Sequence, residues 1–178
     1  MKTIPLFLLV LLLGCVAFGY SSSLFAESQG GKVQAVSATS GGYSKTELEF
    51  RSYDSIASEI DTKAKLNLWD KAKTAAEKKW IPKGGLLMLS IERLSIEAAN
   101  LKYFSVVAVQ NGKTLFREDG KESIPEVPHG DGLWWNLGGF DVPKKMTSPF
   151  TVYVVDNLHD KRYEFLVTPD STTREIVK

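Results

Sequence analysis

The chain has 178 residues, and its 22 lysines and arginines nearly balance its 21 aspartates and glutamates. This balance, with no long basic run, excludes the electrostatic footprint of a nucleic-acid-binding protein, so we expect no nucleic-acid partner. A single cysteine, Cys15, rules out an intramolecular disulfide, and a hydrophobic content of 43% is enough for one core to supply the stability instead.

The N-terminal segment has the order of features that is typical of a secretory signal. Lys2 supplies the positive charge, residues 6–13 are all apolar, and the first acidic residue is Glu27. A short positive region followed by an apolar run and small uncharged residues directs a chain for export. We therefore expect the protein to fold outside the cytoplasm.

The run Leu12-Leu13-Gly14-Cys15 resembles the bacterial lipobox, in which the signal is cut before a cysteine that then carries lipid. Leu13 stands where a lipobox usually has alanine or serine, which is similar to the spirochaete variety of the motif. The resemblance implies a signal peptide over 1–14, an acylated Cys15 (for example with palmitate), and a membrane partner reached through this anchor. It also implies a lipoprotein of the cell envelope, at the outer membrane or cell surface.

Two other fates of this segment remain open. Ordinary signal-peptidase cleavage after Gly19 or Ala26 would give a periplasmic or secreted protein. An uncleaved anchor is the other, because residues 3–26 carry no charge and a membrane span needs about 20 apolar residues. All three fates place the domain outside the cytoplasm. Residues 15–42 are rich in serine, glycine and alanine, which predicts a flexible tether.

The folded domain is predicted to span 43–170, with a C-terminal tail over 171–178. Its first strand is predicted in residues 46–53, where apolar and charged residues alternate. Apolar residues then recur every four positions over 54–80, which predicts two helices separated near Asn67 and Asp70. We expect Asp54 or Ser55 to cap the first helix.

Strands are predicted over most of the remaining chain. They lie in residues 86–96, 103–109, 114–118, 133–137, 150–156 and 161–167, and Asn111-Gly112 predicts a tight hairpin between the second and third of these. The fold class predicted is mainly β with a helical insertion: an antiparallel β-sandwich, immunoglobulin-like or similar. The alternative is an α+β fold in which the helices back one antiparallel sheet.

Candidate ligand residues concentrate in the segment 129–141. His129 and Asp131, together with His159 in a later loop, are weak candidates for a zinc site, but turn chemistry explains the same residues, so we predict no metal and no cofactor. Trp134, Trp135 and Asn136 are candidate ligand contacts because exposed aromatic side chains anchor sugars and protein partners.

The sequence contains no motif of a nucleophilic or phosphate-binding enzyme, so we assign no catalytic residue. We predict a binding or structural module for another protein, of the envelope or of a host. The alternatives are a small exported hydrolase or metal-dependent enzyme, and a cell-wall carbohydrate-binding module. The lysines of the helical segment are interspersed with acidic residues, which favours a solvated face over a contact with an anionic membrane or an acidic partner.

Overall fold

The computed structural model describes residues 31–41, 44–126 and 132–169. Nine strands lie in this part of the chain: β1 Gly31–Ala35, β2 Ser40–Gly41, β3 Ser44–Arg51, β4 Leu86–Arg93, β5 Phe104–Gln110, β6 Lys113–Asp119, β7 Trp134–Asp141, β8 Phe150–Asp156 and β9 Lys161–Pro169. Two helices, α1 (Tyr53–Leu66) and α2 (Lys71–Lys78), lie between β3 and β4, and a short 3₁₀ helix, Leu101–Tyr103, precedes β5. Neither α1 nor α2 has the length and apolar content to cross a membrane.

The strands form two antiparallel sheets. One has the order β1-β9-β8-β5-β6 and the other the order β2-β3-β4-β7. A single cluster of buried side chains draws on both sheets, and the rings of Phe50 on β3 and Phe150 on β8 meet edge to face with centroids 5.8 Å apart. This confirms the predicted fold class, a β-sandwich-like domain with a helical insertion.

Alternation along the strands determines which side chains form the core. On β3, Thr46, Leu48 and Phe50 are buried while the residues between them are half-buried, as expected for a strand with one face against the partner sheet. The hairpin predicted at Asn111-Gly112 is confirmed. Both residues have positive φ, 51° and 73°, which is the conformation of a tight two-residue turn between β5 and β6.

The helical insertion consists of two helices, as predicted. Asn67 caps the C-terminus of α1, and the Asp70 carboxylate accepts a hydrogen bond from Lys73 N at 2.7 Å at the N-terminus of α2. The predicted cap of α1 is wrong. Ser52 occupies that position, and its hydroxyl accepts from Ser55 N at 3.2 Å, because β3 ends at Arg51 and leads directly into the helix.

The N-terminal boundary of the folded domain also differs from the prediction. Strands β1 and β2 lie within residues 15–42, which composition predicts to be a tether, so the folded domain includes Gly31 and does not begin at residue 43. Strand β1 pairs along its whole length with β9, and Val33 packs against the core. The N–H and C=O groups that form such a ladder belong to the backbone, so a small, polar segment is able to form an edge strand.

The strand register defines two ends of the sandwich. At the helix-bearing end, Gly31 pairs with Pro169, and the insertion leaves the sheet after Arg51 and returns at Leu86, which are paired with each other. At the opposite end, which we call the loop end, Arg93 pairs with Trp134 and Phe104 pairs with Asp156. The domain therefore receives the chain from the N-terminal segment at the helix-bearing end.

Candidate functional site

The loop end carries two neighbouring concave surfaces. The first, which we call the Arg93 cavity, has a volume of about 240 Å³ and is lined by Ser44, Arg93, Leu94, Ser95, Ala98, Asp156, His159, Lys161 and Tyr163. The second, which we call the Ile124 groove, is an open depression of about 770 Å³ between residues 96–103 and 122–125. The segment that follows β4 separates them.

Arg93 is a buried charge at the end of β4, with 3% of its surface exposed. Its Nη1 atom donates to the carbonyl oxygens of Lys45 (2.6 Å) and Glu92 (2.9 Å), and its Nη2 atom donates to Thr46 Oγ1 at 2.9 Å. Nη2 also lies 3.4 Å from Oδ2 of Asp156, on the other sheet. A buried guanidinium with this set of acceptors is a structural link between the sheets.

Asp156 joins Arg93 to the turn between β8 and β9. Its carboxylate is 1% exposed, and Oδ1 accepts from the backbone N–H groups of Leu158 and His159, each at 3.2 Å. The His159 ring is half-exposed, and its Nδ1 lies 3.1 Å from both carboxylate oxygens. One carboxylate therefore closes the turn, orients the imidazole and offsets the buried guanidinium.

An aspartate bonded to a histidine is the arrangement that orients a general base in many enzymes. The two serines that line the cavity have other partners. Ser44 donates to the carbonyl of Gly41 at 3.1 Å, and Ser95 accepts from Ala98 N at 3.1 Å. Within the described residues, neither serine is hydrogen-bonded to His159, so the dyad has no attached nucleophile there.

The predicted zinc candidates are placed only in part. His129 and Asp131 lie outside the described residues, and His159 makes its contacts with Asp156. Among residues 31–41, 44–126 and 132–169, no group of three or more histidine, cysteine, aspartate or glutamate side chains is arranged to hold a metal ion.

The Ile124 groove combines apolar walls with a polar rim. Ile96, Tyr103, Ile124 and Pro125 line it. Ile124 is 88% exposed and Ile96 is 49% exposed, and Leu94, which lines the neighbouring Arg93 cavity, is 62% exposed. On the rim, the Lys102 ammonium lies 3.1 Å from the Glu122 carboxylate, and that hydrogen bond raises the pKa of Lys102.

Hydrogen bonds from below hold the two walls of the groove together. Asn136 on β7 is buried, and its Nδ2 donates to Ala99 O and to Ser123 Oγ, both at 2.8 Å. The Asn100 side-chain oxygen accepts from the N–H groups of Lys102 (3.1 Å) and Ser123 (3.2 Å). Asn136, predicted from the sequence as a ligand contact, thus lies beneath the groove and ties its walls.

The two predicted tryptophans occupy β7, a strand that is longer than the five residues predicted. Trp134 pairs with Arg93 and Trp135 with Glu92, so the side chains point to opposite faces, and both are half-buried. The Trp135 indole donates to Ser90 Oγ at 2.9 Å, and its backbone pairs with Glu126. Trp135 is therefore tied to the sheet by both its side chain and its backbone.

Comparison with known proteins adds no relative to this picture. No protein-family model matches the chain, and no match is found among curated proteins or solved structures. The assignment of function therefore depends on the geometry of the loop end and on the N-terminal sequence.

Sequence reasoning missed Arg93, Asp156 and Ile124. Arg93 did leave a signal, because it continues the inward alternation of Leu87, Leu89 and Ile91 and so places a charge where an apolar residue is expected. The sequence signal for Ile124 is weaker, because it is only an isolated apolar residue in a turn-rich segment before Pro125.

Proposed function

We propose that this is an exported protein of the cell envelope, lipid-anchored through Cys15, whose folded domain binds another protein through the Ile124 groove. The observation that carries the binding role is the exposure of Ile124 and Ile96 along a concave surface. The lipobox-like run supports the anchor.

The composition of the groove fits a protein partner. Covering a fully exposed isoleucine gains roughly 1.5–3 kcal/mol, which is the size of contribution that a central anchor residue makes to an interface. The charged side chains of Glu97, Lys102 and Glu122 surround this apolar surface. An apolar centre inside a polar rim is the usual anatomy of a non-obligate protein interface.

The walls of the groove are also ordered in advance of binding. Asn136 and Asn100 bond both walls, and the Tyr103 hydroxyl donates to Glu97 Oε1 at 3.1 Å. Because these side chains and backbone segments already have fixed partners, a ligand has little conformational entropy to remove.

The position of the groove agrees with anchoring at Cys15. Gly31 lies at the helix-bearing end, and the groove lies at the loop end. Residues 16–30 span at most about 50 Å even if fully extended. An anchor at Cys15 would therefore lie within about that distance of the helix-bearing end, and the groove is at the opposite end of the sandwich.

The anchor is tested by metabolic labelling with a palmitate analogue in cells that produce the wild-type chain or Cys15→Ala. We expect label in the wild-type protein and none in the variant, because Cys15 has the one thiol of the chain. Equal labelling of the two proteins, or no label in either, would rule out the lipid anchor while leaving the binding role of the domain untouched.

The groove is tested by site-specific photo-cross-linking of the full chain in its native cells. A photoreactive residue at position 124 is expected to capture one discrete protein, and the same residue at Val36, which is 58% exposed outside the groove, is not. Ile96→Asp should reduce the yield at position 124 by at least about tenfold, because it places an unpaired charge in the interface. Equal products from positions 124 and 36 would contradict the proposal.

The two alternative functions have less support from the geometry. The carbohydrate-binding alternative depends on Trp134, Trp135 and Asn136, of which Asn136 is buried and Trp135 is bonded to Ser90. The hydrolase or metal-dependent alternative depends on His129, Asp131 and His159. His129 and Asp131 lie outside the described residues, and His159 has no hydrogen-bonded serine among the described ones.

A further inference from the structure

We propose that the tip of the helical insertion, residues 63–73, docks on an anionic lipid surface. This tip comprises the end of α1, the connection Asn67–Asp70 and the start of α2. The proposal is separate from the binding role of the Ile124 groove, because it concerns a different surface of the domain.

Two leucines at the tip are exposed to solvent, so burial of their side chains contributes little to the stability of the domain. Leu66 is 78% exposed and Leu68 is 91% exposed. Leu68 also has φ of 53°, a left-handed conformation that glycine or asparagine adopts at lower cost. A residue that is unfavourable both in its exposure and in its backbone conformation is explained if an apolar phase outside the protein receives its side chain.

The charges around these leucines select the type of surface. Over the helical segment as a whole the lysines are interspersed with acidic residues, but the tip differs. There Lys63, Lys65, Lys71 and Lys73 are all exposed, and Asp70 is the one acidic residue between positions 63 and 73. The Asp70 carboxylate is bonded to Lys73 N as the cap of α2. A chain with a formal net charge of +1 therefore concentrates positive charge around the two leucines that are most exposed among the described residues, which complements a negatively charged bilayer.

The shape of the tip favours lipid over an acidic protein. Leu66 and Leu68 protrude at a turn between two helices, and a bilayer interface accepts a protruding apolar group without a preformed pocket. Long lysine side chains reach phosphate groups while their stems lie along apolar surface. Trp69 is half-buried with Lys73 Nζ 4.5 Å from its ring centroid, and tryptophan is enriched at the membrane interface.

The position of the insertion in the domain is compatible with this contact. The insertion leaves the sheet at Arg51 and returns at Leu86, at the same end of the sandwich as Gly31. Helix α1 has 14 residues and is therefore about 21 Å long, so the tip lies within that distance of the end that receives the N-terminal segment.

The test uses the full chain reconstituted in lipid vesicles, with Cys15→Ser so that Leu68→Cys carries the one thiol. A bimane fluorophore on that thiol is quenched by nitroxide lipids if the tip enters the interface. We expect strong quenching in vesicles of phosphatidylcholine mixed with phosphatidylglycerol, and little in phosphatidylcholine alone. Added salt should reduce the quenching, because it screens the lysines.

Matched lysine variants separate local charge from net charge. Replacing Lys63, Lys65, Lys71 and Lys73 with glutamine should reduce quenching to the level of neutral vesicles. Replacing four exposed lysines elsewhere with glutamine changes the net charge by the same amount and should leave the quenching unchanged. These control lysines are Lys83, Lys113, Lys121 and Lys144. Circular dichroism of each variant shows whether the helices remain.

Three outcomes would overturn the proposal. They are equal quenching in neutral and anionic vesicles, equal loss in both lysine sets, and absence of lipid quenching from a tip that instead cross-links to an acidic protein in cells. None of these affects the cross-linking expected at position 124, so failure of this inference is distinguishable from failure of the groove.

Discussion

Replacing Asp156 with alanine is expected to destabilise the domain by about 3–5 kcal/mol, the cost of leaving one partner of a buried ion pair alone. The variant removes the carboxylate that faces the Arg93 guanidinium across the two sheets, and it leaves that guanidinium, whose side chain is 4% exposed, without its counter-charge. It also removes the acceptor of the Leu158 and His159 N–H groups. Urea unfolding followed by circular dichroism measures the change.

Two control variants make this result specific. Asp156→Asn keeps an acceptor for the turn but removes the charge, so its cost should lie between those of the wild type and Asp156→Ala. Asp54→Ala breaks an ion pair with Lys145 whose side chains are both more than two-thirds exposed, and should cost less than about 1 kcal/mol. If Asp156→Ala costs no more than Asp54→Ala, the buried pair does not link the sheets as described.

The sequence predicts those elements of the fold whose conformation is determined by residues close together in the chain. Asn111-Gly112 forms the hairpin because both residues tolerate positive φ, and alternation along β3 places Leu48 and Phe50 inside. Strand β1 has no such cause. Its place is determined by backbone pairing with β9, which lies more than a hundred residues later in the chain. Nothing in the short polar sequence of β1 indicates that partner.

The helical insertion shows the limit of periodicity. Apolar residues spaced by four predict a helix with one apolar face, and the helices form, but spacing does not reveal whether anything covers that face. In α1 the buried residues are Ser55 and Ala64, and α2 has none. Leu68 and Trp80, two members of the periodic set, are among the most exposed large side chains of the domain.

The candidate site was beyond prediction for a related reason. Arg93, Asp156 and His159 meet because β4 and β8 end at the same end of the sandwich, and a separation of 63 residues between Arg93 and Asp156 carries no such information. His159 was a candidate ligand because it is a histidine in a loop. The structure instead gives it a partner three residues earlier, which only the turn between β8 and β9 makes possible.

Gly85→Ala is expected to destabilise the domain by about 3–5 kcal/mol, since it combines backbone strain with an overlap that side-chain movement cannot relieve. Gly85 has φ of 98°, and an added Cβ would overlap the carbonyl oxygen of Arg51 and lie 2.8 Å from Ser52 Cα. These are backbone atoms at the junction where β3 enters α1. Gly85 also accepts from Val142 N at 3.0 Å, so the chain there is held from both sides.

Gly112→Ala separates the two contributions to that cost. Gly112 has φ of 73°, and an added Cβ would meet nothing within 4 Å, so this variant should show the conformational cost alone, about 1–2 kcal/mol. The difference between the two variants, measured by urea unfolding, isolates the overlap with Arg51 and Ser52. If Gly85→Ala and Gly112→Ala reduce the free energy of unfolding equally, the insertion is free to shift against the sheet. A larger reduction for Gly85→Ala shows that close backbone contact fixes the point at which the helical insertion returns to the sheet.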